Sequence, residues 1–518
     1  MSRSKDPHRW WIAGLIGVAF VVCGTGWYQA LLAPPYSYPD EPAHTGYVLE
    51  LQAGRLPRID GPIDGAAGGP ELRERLALSL PRNRDVWVAN NPPGGYVLSV
   101  APAAVSRALG VPGGPLLGVR LAHTAAMAAG CVLSCVVARR LAGGDARVGL
   151  VAGYVTAAVP HTGYLAGQAM VDGFGVLATF GTLEALTRPE GRGSRRWWGR
   201  ALTWAAFGAA VRPMTALTCA ALVVAAAAAQ GARAAVKRRR SARDDRPRWT
   251  PGPFRGLAVD LGPALAVGSI GVMWYSLNWV RYGGPTASSH LFEKFGRGSA
   301  PLADLDIWRY LHGTSNCLFT YYECTFAVIL YTFDIFMLVP LAIAAVVALG
   351  ISIWDRFKRG RPSLPVGRPT IALGIVGLLW VVVAMSLVLP VAHWTGGGVP
   401  HPRYALAMVP ALAALGAAVI GRIAGKAGLL LLWAAPTWVL WSETPRSTPR
   451  VPGFIAYPPD SPLIMSTGPV WLRGGGLLVA AVGALVVLAA IVALREGVRA
   501  GGVRTRLGGW TSVRAGEP

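Results

Sequence analysis

Two adjacent carboxylates, Asp40 and Glu41, stand between prolines in the stretch YPDEPAH at positions 38–44, with His44 close behind. Partial burial and like-charge proximity raise the pKa of one member of such a pair and suit it to take a proton. The competing role is structural. Asp40 followed by Glu41 and Pro42, with Gly54 beyond the last apolar residue, predicts a helix of about 13 residues. In it Asp40 is the N-cap and Glu41 favours the positive end of the helix dipole. Asp40 and His44 are four apart and share one face, continued by Tyr47, Val48 and Leu51 as an apolar stripe. The helix is therefore expected to lie flat on a membrane, with its acids at the mouth of whatever bundle it joins. A cap accounts for one acid and leaves the rest of this arrangement unexplained.

The elements that must hold these residues are membrane helices. The chain has 518 residues, 53% of them hydrophobic and only 14% charged. Continuous apolar runs recur from Trp10 to Val492, many of them near the ~20 residues an α-helix needs to cross a bilayer. They do not alternate, which excludes a barrel. The net charge of +23 does not indicate nucleic-acid binding, because the basic residues fall in short clusters between the runs. These include Arg139 with Arg140, Arg188 to Arg200, Lys237 to Arg240, Arg356 to Arg361, and the tail from Arg495. Such clusters mark the cytoplasmic side.

Residues 93–109 are apolar enough to cross, but a crossing would place the next basic clusters outside, so this segment is expected at the interface. Basic clusters at both ends of 199–231 require two short spans that turn at Arg212–Pro213. About twelve spans result: 10–33, 116–138, 147–168, 172–187, 200–211, 213–232, 255–279, 326–350, 369–391, 404–421, 427–441 and 475–494. Both termini are then cytoplasmic. Residues 34–115, a turn at Asp172, 280–325, 392–403 and 442–474 face outward, where any chemistry must sit.

Cys23, Cys131, Cys135 and Cys219 fall in spans and read as small apolar residues. Cys317 and Cys324 share one outer loop, where a disulfide is open to them. His123, His312, His393 and His401 read as satisfied loop or helix-end residues. Trp87, Trp274, Trp279 and Trp394 read first as interfacial belt aromatics, with stacking on a sugar ring as the alternative.

A first span followed at once by DEPAH, then NPPGGY at Asn91 to Tyr96, resembles the GT-C superfamily of membrane glycosyltransferases. The likeness is greatest to its protein mannosyltransferase and aminoarabinose transferase branch, and the PDEPAH form is similar to a related, uncharacterised family of bacterial polytopic proteins. GVRLAHTAAMAAG at Gly118, VPHTGYLAGQAMVDG ending at Asp172, VRP at Val211, LNWVRYGGPTASS at Leu277 and HPRYALAMVPAL at His401 continue it. The resemblance implies an all-α GT-C fold, with a catalytic membrane module over 1–283 and further membrane helices over 284–518. It implies an inverting enzyme of the cell envelope that moves a sugar from a polyprenyl phosphate carrier to a glycan, lipid or protein acceptor at the extracytoplasmic face. By carry-over Asp40 is the general base, while Glu41 and Asp172 position the acceptor, or Asp40 and Glu41 a divalent cation. His44, Tyr96, Arg403 and Tyr404 are substrate contacts, with Arg403 placed to fork onto the departing phosphate.

One departure stands out. Where the aminoarabinose transferase branch has a basic residue or histidine before its proline segment, this chain has Asn90 and Asn91. Arg120 and Arg212 are the substitutes at hand, though each also reads as a snorkelling interfacial arginine. Two further readings stay open: a transporter or flippase for lipid-linked sugars, for which Glu184 and Asp334 supply acids inside spans, and a non-catalytic membrane scaffold.

Overall fold

The computed structural model describes residues 7–111, 113–189, 192–241, 257–306, 331–358, 371–398, 402–443 and 470–494. Among them are 17 α-helices and no strand. The first, α1 (Pro7–Leu32), is followed by three shorter helices, α2 (Glu41–Gln52), α3 (Pro70–Ala77) and α4 (Gly94–Ala108). Then come α5 (Pro115–Leu141), α6 (Ala146–Ala158), α7 (Pro160–Ala166), α8 (Asp172–Thr187), α9 (Arg195–Val211) and α10 (Pro213–Ser241). The remainder are α11 (Leu257–Tyr282), α12 (Ser288–Lys294), α13 (Tyr331–Lys358), α14 (Leu373–Thr395), α15 (Met408–Ile423), α16 (Gly425–Glu443) and α17 (Val470–Ala493). Among the described residues five helices are long and apolar enough to cross a bilayer: α1, α5, the Pro213–Val236 part of α10, α14 and the Gly474–Ala493 part of α17.

Local chemistry sets many of the helix ends. Asp145 and Ser194 cap α6 and α9 by accepting from the backbone N–H of Arg147 and Trp197. Proline opens α5, α7 and α10, where its missing N–H costs nothing. The span expected over 147–168 is broken for the same reason. Pro160 cannot donate back into the preceding turn, Val159 turns extended (φ −61°, ψ 123°), and α6 and α7 are separate helices.

Helices α5, α6 and α8 are the centre, buried on nearly every side. Helix α1 packs along α5 and α6 on one side and along α17 on the other. A second hydrophobic cluster fills the loop between α1 and α5, with Tyr36, Tyr47, Val88, Tyr96 and Trp274 among its buried members. Helix α4 turns Tyr96, Ser99, Ala103 and Ser106 inward and leaves Val97, Leu98, Val105 and Leu109 exposed. Its 15 residues span roughly 22 Å, too short for the hydrocarbon thickness.

Two expectations are corrected here. Helix α2 does not lie open on a surface: Glu41 through Leu49 are all buried, because Tyr47 stacks on Tyr96 of α4 with ring centroids 3.8 Å apart. Trp274 is no belt residue; it is fully buried and donates through Nε1 to the Ala89 carbonyl at 3.2 Å. Glu184 lies within α8, where Arg140 and Arg188 both bond its Oε1 at 2.8 Å. Cys317, Cys324, His312 and His401 lie outside the described residues, as does the Asp334 side chain.

Candidate active site

Asp40 occupies the N-cap position of α2, yet its side chain makes no capping hydrogen bond. Its Oδ2 instead lies 2.6 Å from Nη2 of Arg403, which stands in a 3₁₀ turn (Pro402–Ala405) just before α15. Asp172, the first residue of α8, pairs in the same way with Arg212, whose Nη1 is 2.5 Å from Oδ1. Arg212 is the extended residue (φ −166°, ψ 154°) that separates α9 from α10, so the helix break before Pro213 delivers the guanidinium to the site. It is not a snorkelling arginine. Tyr404 joins the two pairs, with the Arg212 guanidinium 5.0 Å and that of Arg403 5.5 Å from its ring centroid.

The two carboxylates of the DE pair do not work together. Successive helix residues point about 100° apart, and Glu41 faces the opposite way, into the protein. There Arg120 grips it bidentately, Nε to Oε1 and Nη2 to Oε2, both at 2.7 Å. Glu41 is 0% exposed and Arg120 1%. Arg120 also donates to the carbonyls of Ala30, Ala33 and Pro34 at the end of α1, and Glu41 accepts the Ala169 N–H at 3.0 Å. Arg120 is thus a buried fork rather than a snorkelling side chain. This pair ties α1, α5, the start of α2 and the segment leading into Asp172. Breaking such a buried pair costs about 3–5 kcal/mol.

His44 and Tyr96, expected as substrate contacts, are buried against one another, with Nδ1 and Oη 2.9 Å apart. Burial pushes the His44 imidazole down to about 3, against the opposing pull of Asp40, so it is neutral at physiological pH. Burial alone would also lower the Arg403 pKa, but Asp40, Tyr404 and Asp172 together outweigh it and leave the value raised. Asn91 and Asn90 serve the backbone: their carbonyls accept from Tyr47 Oη and Asn278 Nδ2, both at 3.0 Å.

Sequence reasoning missed His123 and the turn before Asp40. His123 Nε2 accepts the Gly173 N–H and so steadies the first turn of α8 beside Asp172. No spacing in the sequence links residues on two separate helices. Tyr36 adopts φ +57°, a conformation non-glycine residues rarely take, and Arg75 Nε holds its carbonyl at 3.0 Å.

Asp172, Arg212, Arg403 and Tyr404 line a small, open cleft between α8, α10 and α14. Its walls below are Val176, Met214, Met385, Leu389 and Leu406, interrupted by the hydroxyls of Thr179, Thr215, Thr218 and Ser386. A divalent cation does not fit the expected ligands. Asp40 and Glu41 are each taken by a guanidinium, and no group of three or more His, Cys, Asp or Glu that could hold a metal occurs among the described residues.

Fold and site together define a polytopic helical membrane protein whose cleft carries two arginine–carboxylate ion pairs beside apolar and hydroxyl-bearing side chains. No protein-family profile and no curated protein sequence matches the chain. Among solved structures it is similar to ArnT from Cupriavidus metallidurans in the apo state, with a TM-score of 0.47 and 15% identity over 93% of this chain and 76% of that one. It is also similar to the same protein bound to undecaprenyl phosphate, with a TM-score of 0.44 and 16% identity over the same shares. Both likenesses are too distant to carry residues across.

Proposed function

We propose that this chain is a membrane glycosyltransferase of the GT-C kind, transferring a sugar from a polyprenyl phosphate carrier to an acceptor at the extracytoplasmic face. The observation that supports the reading is the meeting of two guanidinium groups, Arg212 and Arg403, in one cleft whose other walls mix apolar side chains with hydroxyls. That combination suits an amphiphile with an anionic group and a hydrocarbon tail. A guanidinium matches phosphate through paired N–H donors.

In the proposed reaction an acceptor oxygen forms a bond to the anomeric carbon while the bond from that carbon to the phosphate oxygen breaks. The bonding electrons leave with the phosphate, whose growing charge Arg403 and Arg212 stabilise. Asp40 takes the acceptor hydroxyl proton. Attack opposite the departing phosphate inverts the anomeric centre. Asp172 orients Arg212, while Glu41, with Arg120, fixes Asp40 relative to Asp172. His44 and Tyr96 hold the inner face of α2.

Purified protein incubated with a panel of polyprenyl phosphate sugars should release polyprenyl phosphate from one of them. Asp40→Asn keeps the shape of the side chain but cannot take a proton, so it should stay folded, melt somewhat below the parent because Arg403 loses its carboxylate, and lose on the order of 10²–10⁴-fold in transfer rate. Near-parental turnover by Asp40→Asn would remove Asp40 from the mechanism. Lipid translocation without release from any donor would replace the transferase with a flippase.

A further inference from the structure

The cations that line the cleft are already neutralised. Arg403 is paired with Asp40 and Arg212 with Asp172, at 2.6 and 2.5 Å. The side chains of all four are largely buried, between 6% and 18% exposed, so water screens them little. An anion entering at Arg212 and Arg403 therefore competes with two carboxylates for the same guanidinium groups.

We infer that the site works by partner exchange: the phosphate of the donor takes the arginines, and in doing so releases Asp40 to act as a base. This rests on the glycosyltransferase reading and specifies how that site is regulated. A carboxylate that accepts from a guanidinium at 2.6 Å is a poor proton acceptor, because protonation would break the ion pair. Once a phosphate occupies Arg403, Asp40 stands beside an anion in place of a cation, and its proton affinity rises. The base is thus armed only when the donor is present, which orders binding as donor first and acceptor second.

The exchange also runs in reverse. Glycosyl transfer converts a phosphodiester with one charge into a phosphomonoester that carries up to two, and such a product would grip two arginines more firmly than the donor did. Once Asp40 has passed the acceptor's proton on to water, the carboxylates of Asp40 and Asp172 are positioned to reclaim their partners and displace it.

The test is a double-mutant cycle on binding, with undecaprenyl phosphate as the probe and parent, Asp40→Asn, Arg403→Gln and the double variant compared in detergent at matched salt. Thermal melting of each establishes that it is folded. If Asp40 competes for Arg403, Asp40→Asn should bind the probe roughly tenfold more tightly than the parent, and the gain should vanish in the Arg403→Gln background. Binding to the parent with no gain in Asp40→Asn would overturn the exchange and leave the glycosyltransferase reading standing. A gain that persists without Arg403 would also overturn it, since that is the signature of a general field effect. Failure of parent and Asp40→Asn alike to bind the probe would overturn the phosphate site itself, and the exchange with it.

Discussion

At the scale of single residues, the question posed by YPDEPAH is resolved by the partner each acid has. Asp40 sits where a cap belongs but spends its carboxylate on Arg403, and Glu41 spends its own on Arg120. His44, one turn on, carries a testable consequence of its burial. An unfolded histidine titrates near 6.5, while in the folded protein the value falls to about 3. The folded state therefore binds this proton more weakly than the unfolded chain does. The contribution of neutral His44 to stability is complete above about pH 6.5 and is lost as pH falls from there toward 3, by up to about 1.4 kcal/mol per pH unit. Melting temperature in detergent should drop faster on acidification in the parent than in His44→Gln. Parallel pH profiles for the two would show that His44 is not held neutral by the fold.

At the scale of elements, glycine decides how closely the first and last described helices approach. A Cβ built on Gly24 of α1 would come within 2.5 Å of both the Ala480 nitrogen and the Gly476 carbonyl oxygen of α17. A Cβ on Gly483 would come 2.6 Å from the Gly17 carbonyl oxygen. Contacts of backbone with backbone cannot be relieved by a rotamer change, so the helices would have to separate. Overpacking of this kind costs about 1–3 kcal/mol. Gly24→Val should lower the melting temperature by several degrees without touching the site residues, and intact melting would mean that α17 is not seated on α1. The break at Arg212 belongs to this scale too. Pro213 both ends α9 and starts α10, and the extended residue between them becomes a site residue because of where the break falls.

At the scale of the whole molecule, the site is assembled from segments far apart in the chain, and one more set of contacts holds the surrounding loops together. Lys294 bonds Asp60 at 3.0 Å and Asp85 at 2.6 Å, and Tyr282 Oη accepts the Ile59 N–H at 2.9 Å. The loop between α1 and α5 is thereby fastened to the end of α11 and to α12. The distribution of basic residues predicts which side this assembly faces. By that rule Ser194, exposed in the basic link between α8 and α9, is expected on the cytoplasmic side. A Ser194→Cys variant in intact cells should resist a membrane-impermeant thiol reagent until the inner face is opened. Labelling from outside would reverse the topology and move Asp40 and Arg403 to the cytoplasmic face.

Much of this protein was legible in local sequence. Composition declared a helical membrane protein and Arg212–Pro213 marked a break, because each signal acts over a single helical turn or over one apolar run. The candidate acid Asp40 could be named from residue type and position, and Asp172 and Arg403 were implied by the family resemblance. Which carboxylate meets which arginine could not. Asp40 with Arg403, Glu41 with Arg120 and Asp172 with Arg212 are matched by the rigid-body packing of helices that share no local signal. The charge of a buried acid has to be met by whatever cation the packing brings within about 3 Å, since an unpaired charge there is too costly to keep. That requirement operates only once the tertiary structure exists. It made a helix-cap position into a site residue and its catalytic-looking neighbour into a clamp.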